Sequence, residues 1–453
     1  MRKTARNDSR RDFLYHLPAA AAATWLTIGS AETNRLVKSS GLDGAASLWA
    51  ADEPRGTAAQ RKRLAIITTE WRYRSHAWHM GERFLVGYPR DGRWYRPPFD
   101  VVSAYVDQRP ENDLSRQRSE EFKFPLYGSI AETLRCGGKR LAVDAVLIIG
   151  EHGDYPQNEF KQTKYPRYEF FKQTTDVFRQ DGRSVPVFND KHLSWKWDWA
   201  KEMVELSREL KFGFAAGSSL PVTWRMPAID MPYGAEVEEL LCVAMGGLDS
   251  YDFHALEVIQ CMAERRKGGE SGVVAVQGLR GDAVWRALEA GNWQAGGWDP
   301  KLFEACLSRS HTLQQPETFS HRYPTVAQMR AWVKEPIAYR IEYADGVKAT
   351  MLLMNGLVGD FTFAARMKGQ PEPLSTLFHL PPNPNVVYSA ALMAKAEETF
   401  TTGKAPCPIE RTLLTTGLVE AGVRSIGQGE RRLETPHLVF RYEAPRESTF
   451  ART

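Results

Sequence analysis

The chain has 453 residues, 43% hydrophobic and 25% charged, with net charge +4: the balance of a globular protein long enough for two or three domains. Its basic residues are dispersed, with no Lys/Arg tract interleaved with aromatics, which argues against nucleic acid as a partner. The five cysteines, Cys136, Cys242, Cys261, Cys306 and Cys407, lie far apart without C-x-x-C spacing, so no zinc site or dense disulfide framework is expected.

Ser9-Arg10-Arg11-Asp12-Phe13-Leu14 is a twin-arginine motif. The apolar run after it, 17–28, is too short for a membrane span, which needs ~20 apolar residues. The pattern predicts export by the twin-arginine machinery to the periplasm or cell envelope, with 1–51 as signal and processing region. That route carries proteins already folded, often with a cofactor bound, and a chain folded in the cytoplasm needs no disulfides. Residues 52–62 read as a linker.

Strand-like runs then alternate with helical patterns. Arg63 to Thr69 is a short apolar run, and a helix is expected to begin near His76 after a basic and aromatic turn. Residues 87–98 form a turn-rich insertion. Phe99 to Asp107 is a second strand ending in an acid, and Val143 to Ile149 a third, followed by the loop Gly150 to Pro156. Tyr168 to Gln180 is helical, Val185 to Phe188 a fourth strand, Trp195 to Leu210 a helix, and Phe212 to Ser219 a fifth strand with its turn. This alternation predicts a doubly wound parallel sheet over 62–220.

After residue 220 the pattern changes. Leu240 to Met245 is a short apolar run and Tyr251 to Ala263 has helical spacing. Runs at 273–279, 338–343, 349–357 and 360–366 alternate like antiparallel strands, with Asp345-Gly346 as a turn. Helices are expected over 386–401 and 410–425. Residues 221–435 thus read as a second domain of α/β type with an open antiparallel sheet, and 436–453 as a tail.

The chemistry concentrates at Val185 to Ser194, where a strand ends in Asp190, Lys191 and His192. Charged groups at the carboxyl ends of such strands sit where open α/β sheets bind ligands. A lysine there can donate a proton to a hydroxyl or carbonyl when its surroundings lower its pKa.

In order and spacing, residues 62–435 resemble the Gfo/Idh/MocA oxidoreductases. Val143 to Ile149 is similar to that family's fourth strand, Phe188 to Ser194 to its E-K-P-L-A segment, and Gly247 to Glu257 to its D-x-x-x-H segment. The resemblance implies a Rossmann-like domain holding NAD or NADP and a second domain covering it. It implies Lys191 as the catalytic proton donor or acceptor, with His254 and Asp190 beside it. His152 falls near the nicotinamide, and Thr68, Arg72 and Asp107 on the cofactor side. Asp249, Asp252 and His192 fall on the substrate side. A sugar or polyol substrate is implied, as are dimers or tetramers formed through the exposed sheet face.

Two positions depart from the pattern. No glycine occurs from Thr68 to Met80, where the family has G-x-G-x-x-G. Glycines there let backbone approach a pyrophosphate, so their loss argues against a dinucleotide. Ser250 stands where the D-x-x-x-H aspartate belongs. Three functions are therefore carried forward. The first is a sugar or polyol dehydrogenase using Lys191. The second is a non-redox carbohydrate binder using aromatics such as Trp71, Tyr73, Trp94 and Tyr155. The third is a hydrolase or lyase in which Glu151, His152, Asp154, Asp190, His192 and His254 hold a metal. His76 and His79 are read as flanking the first turn.

Overall fold

The computed structural model describes residues 61–381 and 387–452. The twin-arginine motif, the apolar run after it and the processing region lie outside the described residues. None of the described helices is long and apolar enough to cross a membrane.

In chain order the elements are β1 (Lys62–Thr68), a π turn (Ala77–Gly81) running into α1 (Glu82–Val86), a hairpin of β2 (Tyr88–Arg90) and β3 (Arg93–Tyr95), β4 (Phe99–Val106), α2 (Ser115–Phe122), β5 (Leu126–Tyr127), α3 (Ile130–Arg135), β6 (Ala145–Ile149), α4 (Arg167–Asp181), β7 (Val187–Asp190), α5 (Trp197–Glu209) and β8 (Phe214–Gly217). The second half continues with β9 (Trp224–Met226), β10 (Val237–Ala244), α6 (Tyr251–Ala263), β11 (Val273–Arg280), α7 (Asp282–Ala290), α8 (Pro300–Arg309), α9 (Val326–Trp332), β12 (Ile337–Tyr343), β13 (Lys348–Leu353), β14 (Phe361–Met367), β15 (Leu374–His379), α10 (Tyr388–Thr402), α11 (Ile409–Gly427) and β16 (Leu433–Glu434).

The first sheet runs β5-β4-β1-β6-β7-β8, with every pairing parallel. Counted along the chain this is the Rossmann order, with its switch point between β1 and β6. Strand alternation sends Ala65, Ile67, Val146 and Ile148 toward α3, α4 and α5, and Leu64, Ile66, Leu147 and Ile149 to the other face. That other face is covered by Trp71, Phe84 and α10, through Leu392, Met393, Ala396 and Phe400. A helix expected to belong with the second sheet therefore closes the first.

The second sheet has eight strands in the order β16-β11-β12-β13-β10-β14-β15-β9. It departs from a purely antiparallel sheet at one place, where β13 lies parallel to β10. β11, β12 and β13 form a meander whose third strand folds back beside β10 in the same direction. One face packs on α6 and α11 through Leu240, Cys242, Tyr339 and Met351. Residues beyond 435, expected as a tail, are part of this packing: Leu438, Ala444 and Phe450 are buried, and Tyr442 donates to Glu264 at 2.8 Å.

The outer face of this sheet was expected to be exposed and to assemble oligomers. It is covered instead by α7, α8 and α9, which set Trp285, Trp298, Leu302, Phe303 and Met329 against Leu241, Val243 and Leu352. Burial of both faces is why Leu240 to Ala244 reads as an unbroken apolar run. Leu302→Ala is expected to cost about 2–4 kcal/mol through the cavity it leaves, read as a lower urea midpoint. A change under 0.5 kcal/mol would show that this helical cover does not stabilise the fold.

Candidate active site

β7 ends at Asp190, and the next residue, Lys191, adopts a left-handed backbone (φ 68°) bridged to Gly217. A lysine holds such a conformation only where its surroundings over-determine it, which is common at functional sites. The turn is pinned by Asn189, whose amide donates to the Asp190 carbonyl at 3.1 Å. The closely approaching Gly217 has a backbone (φ 131°) that favours glycine, and a Cβ there would crowd Glu257 Oε2 at 3.0 Å. Ser218 follows at the end of β8, and α6 contributes Tyr251 and His254. These groups, with His76 and Tyr388, line a cavity of about 80 Å³. A larger groove of about 440 Å³, between the β2–β3 hairpin and the C-terminal residues, is lined by no histidine.

Lys191 Nζ lies 2.5 Å from His254 Nε2, and His254 Nδ1 lies 2.6 Å from Ser218 Oγ. Burial, and then the charge of Lys191, push the His254 pKa well below its usual value, so the ring is neutral. An ammonium can only donate, so Nε2 accepts from Lys191 and the Nδ1 proton goes to Ser218 Oγ, which also accepts from the Leu220 amide at 3.1 Å. Behind Lys191, Glu151 Oε1 lies 3.9 Å from Nζ, and Glu151 is ion-paired with Arg167. Burial alone would raise the Glu151 pKa, but Lys191 and Arg167 outweigh it and hold the carboxylate below its usual range.

A second pair enters the same cavity. His76 Nδ1 lies 2.5 Å from Asp190 Oδ2, and the rings of His79 and His152 stand 4.6 and 5.0 Å from that of His76. Burial, and then the neighbouring His76, push His79 well below the usual range and His152 to about 4.

Lys191, His254 and Asp190 meet at this cavity, with His152 close by. The other substrate-side residues do not line the cavity. His192 is buried with Nε2 2.9 Å from Arg167. Asp249 accepts from the Gln162 side chain at 3.1 Å and the Thr163 amide at 2.8 Å, and burial raises its pKa to about 7. Asp252 accepts from the Tyr339 hydroxyl at 2.9 Å, and burial raises it to about 6. The reason is helical geometry: Tyr251 and His254, three apart on α6, share the face toward the cavity, while Asp252 points to the sheet. Sequence reasoning missed Ser218 and the role of His76 and His79. Their H-x-x-H spacing, which puts two rings on one face of a helical turn, was the available signal.

The cofactor-side residues sit in a closed turn. The Thr68 hydroxyl donates to the Glu70 carbonyl at 3.1 Å, and Arg72 pairs with Glu70 at 2.5 Å. Carbonyls of Thr69 and Trp71 accept from the amides of Gln108 and Leu114, each at 2.7 Å. The Trp71 ring is fully buried against Phe124, so it is core and not a carbohydrate-stacking surface. Ser75 Oγ takes the amides of Arg72 and Trp78 at 3.1 and 3.4 Å. Asp107 accepts the hydroxyls of Tyr105 and Tyr155 at 2.6 and 2.7 Å. As for the metal-assisted reading, no three His, Cys, Asp or Glu side chains among the described residues are disposed to hold a metal.

Beneath the cavity, burial pushes the Glu257 pKa to about 7 while the Thr415 hydroxyl donates to it at 2.6 Å. A carboxyl raised in the folded state favours folding while both states are protonated, and loses that advantage as pH rises toward 7. Glu257→Gln should therefore raise stability at pH 8 by about 3 kcal/mol and change little near pH 4.5. Thermal melts at both pH values check this, and an equal effect at the two would refute it.

No family model and no curated protein sequence matches the chain. Solved structures do. GenD2 from gentamicin A biosynthesis, in complex with NAD, is 13% identical with TM-score 0.52, over 84% of this chain and 98% of its own. A probable dehydrogenase from Thermotoga maritima is 11% identical, with TM-score 0.49 over 83% and 100%. A myo-inositol 2-dehydrogenase from Lactobacillus plantarum is 12% identical, with TM-score 0.47 over 82% and 99%. At such identity what this chain shares with GenD2 is the fold.

Proposed function

We propose that the Lys191 cavity binds a small uncharged hydroxylated molecule, of the sugar or polyol class, and that Lys191 exchanges a proton with one of its oxygens. The observation that carries this reading is the continuous chain from Lys191 through His254 to Ser218, at the carboxyl ends of β7 and β8. Charge balance supports the ligand class. The cations Lys191 and Arg167 are matched by Glu151 and Asp190, leaving no excess positive charge for a phosphate or carboxylate. The volume, about 80 Å³, suits a small molecule or one end of a sugar.

The residues after β1 do not fit a dinucleotide. Trp71 fills the turn, Glu70 presents a carboxylate where a pyrophosphate would sit, and the first helical amides are capped by Ser75 or tied within the turn. No step is therefore routed through NAD or NADP. The competing reading, a dehydrogenase, draws on the fold shared with NAD-bound GenD2. Calorimetric titration of the full chain separates the two. Glycerol, dihydroxyacetone and myo-inositol are tested in one arm, and NAD(H) and NADP(H) at millimolar concentration in the other. Binding in the first arm alone is the expected result. Nucleotide binding restores the dehydrogenase, and silence in the first arm removes the ligand assignment.

Export by the twin-arginine route to the periplasm or envelope belongs to the same proposal, supported by Ser9 to Leu14. Replacing Arg10 and Arg11 together by Lys should retain the protein in the cytoplasm on cell fractionation. Undiminished export would rule the route out.

A further inference from the structure

We infer that His76, held by Asp190, is the carbon-acid base of a redox-neutral proton transfer carried out in the Lys191 cavity. The inference rests on the ligand assignment above and adds a reaction class to it. Four imidazoles surround the site: His76, His79, His152 and His254. Only His76 has a ring nitrogen against a carboxylate, at 2.5 Å from the buried Asp190. That contact fixes the proton on Nδ1, and Nε2 has no partner among the described residues. An imidazole with Nδ1 on a carboxylate and a free Nε2 is the arrangement used for general base catalysis. His79 and His152 gain no such partner, and burial, then the neighbouring His76, holds their pKa down.

His76 comes from the turn after β1, the segment that in a dinucleotide-binding sheet faces the cofactor. Here that segment contributes an acid–base group to the ligand cavity. Asp190 and Lys191 are consecutive, yet Asp190 engages His76 and Lys191 engages His254. One strand end thus serves two proton-handling groups of different basicity, one for carbon and one for oxygen.

The fitting substrate is an α-hydroxy aldehyde or ketone. His76 Nε2 takes the proton from the hydroxyl-bearing carbon, and the electron pair of the broken C–H bond forms the enediol double bond. The carbonyl oxygen takes a proton from the Lys191 ammonium. Lys191, now neutral, removes the proton from the other enediol oxygen, whose lone pair forms the new carbonyl. The double-bond electrons recover the proton from His76 at the neighbouring carbon. The product is an isomer of the substrate, both side chains return to their starting states, and no oxidant or reductant is consumed.

The test is proton NMR of dihydroxyacetone or D-glyceraldehyde with the full chain in D₂O, without nucleotide. Deuterium should enter the carbon next to the carbonyl faster than in buffer alone. His76→Gln and Asp190→Asn should each slow this by about 100-fold or more while calorimetric binding of glycerol persists. Asp190→Asn should also lower the apparent pKa of the exchange-rate profile, an effect a purely structural role would not produce. Exchange at the wild-type rate in His76→Gln, or none in a wild-type chain that binds these compounds, overturns the inference. Loss of glycerol binding by the wild type overturns the ligand assignment instead.

Discussion

Lys191→Met is expected to abolish proton exchange, by about 10³-fold, and to weaken binding of hydroxylated ligands. Methionine matches the length of the lysine stem and keeps the left-handed backbone of the turn no more strained than before. It removes the one group in the cavity that donates from a cation. It also releases His254, whose Nε2 loses its donor at 2.5 Å. Burial and the Lys191 charge together hold the His254 pKa down, so removing the charge moves it up, and histidine NMR titration reads the shift. Lys191→Arg should rescue the charge but not the rate, because a planar guanidinium cannot occupy the position of a compact ammonium. Full exchange and binding in the methionine variant would remove Lys191 from the mechanism.

Arg167→Met should cost about 3–5 kcal/mol of stability. Arg167 is almost fully buried and pairs with Glu151, with its other arm 2.9 Å from His192. Without it the buried Glu151 keeps only Lys191, at 3.9 Å. The pH dependence should change as well. In the wild type, the folded pKa of Glu151 lies below its ordinary 4.5, so its stabilisation is complete above that value and drains away as pH falls. In the variant, burial prevails and the pKa rises, so the contribution of Glu151 weakens as pH rises. Urea midpoints at pH 5 and pH 8 measure both effects. A variant as stable as wild type at pH 8 would show that the Arg167–Glu151 pair is not holding the site. Adding Glu151→Gln to Arg167→Met should recover part of the loss, since it removes the charge left behind.

The central strands and the helices α4, α5, α6, α10 and α11 were legible because each is marked by local periodicity, whereas α2, α3 and α7 to α9 were not anticipated. The strand at Val185 to Phe188 runs into charged residues, and Tyr251 to Ala263 carries apolar residues at helical spacing. Lys191 and Asp190 were readable for the same reason, as side chains at the end of a strand, whereas His254 was marked by the resemblance of Gly247 to Glu257 to the D-x-x-x-H segment. His76 was not, because its partner Asp190 is 114 residues away and only the folding of the sheet brings them together. The closed turn was half-legible. The missing glycines from Thr68 to Met80 told against a dinucleotide, but burial of Trp71 depends on Phe124, which the turn itself does not contain. The covered outer sheet face was not legible at all, since α7 to α9 carry no mark of which face they pack on.

The sequence by itself determined five of the six strands of the first sheet and the longer helices, that this sheet is parallel and doubly wound, and that a lysine follows the strand at Val185 to Phe188. Those features follow from hydrophobic period and turn chemistry over a few residues. The tertiary structure alone decided what surrounds that lysine. It placed Ser218 behind His254 and Asp190 behind His76, and it turned Asp249 and Asp252 away. It also spent the backbone groups of the first turn on Gln108 and Leu114. The reason is physical: a hydrogen bond or ion pair between distant residues depends on where two chain segments meet, and local pattern carries no record of that meeting.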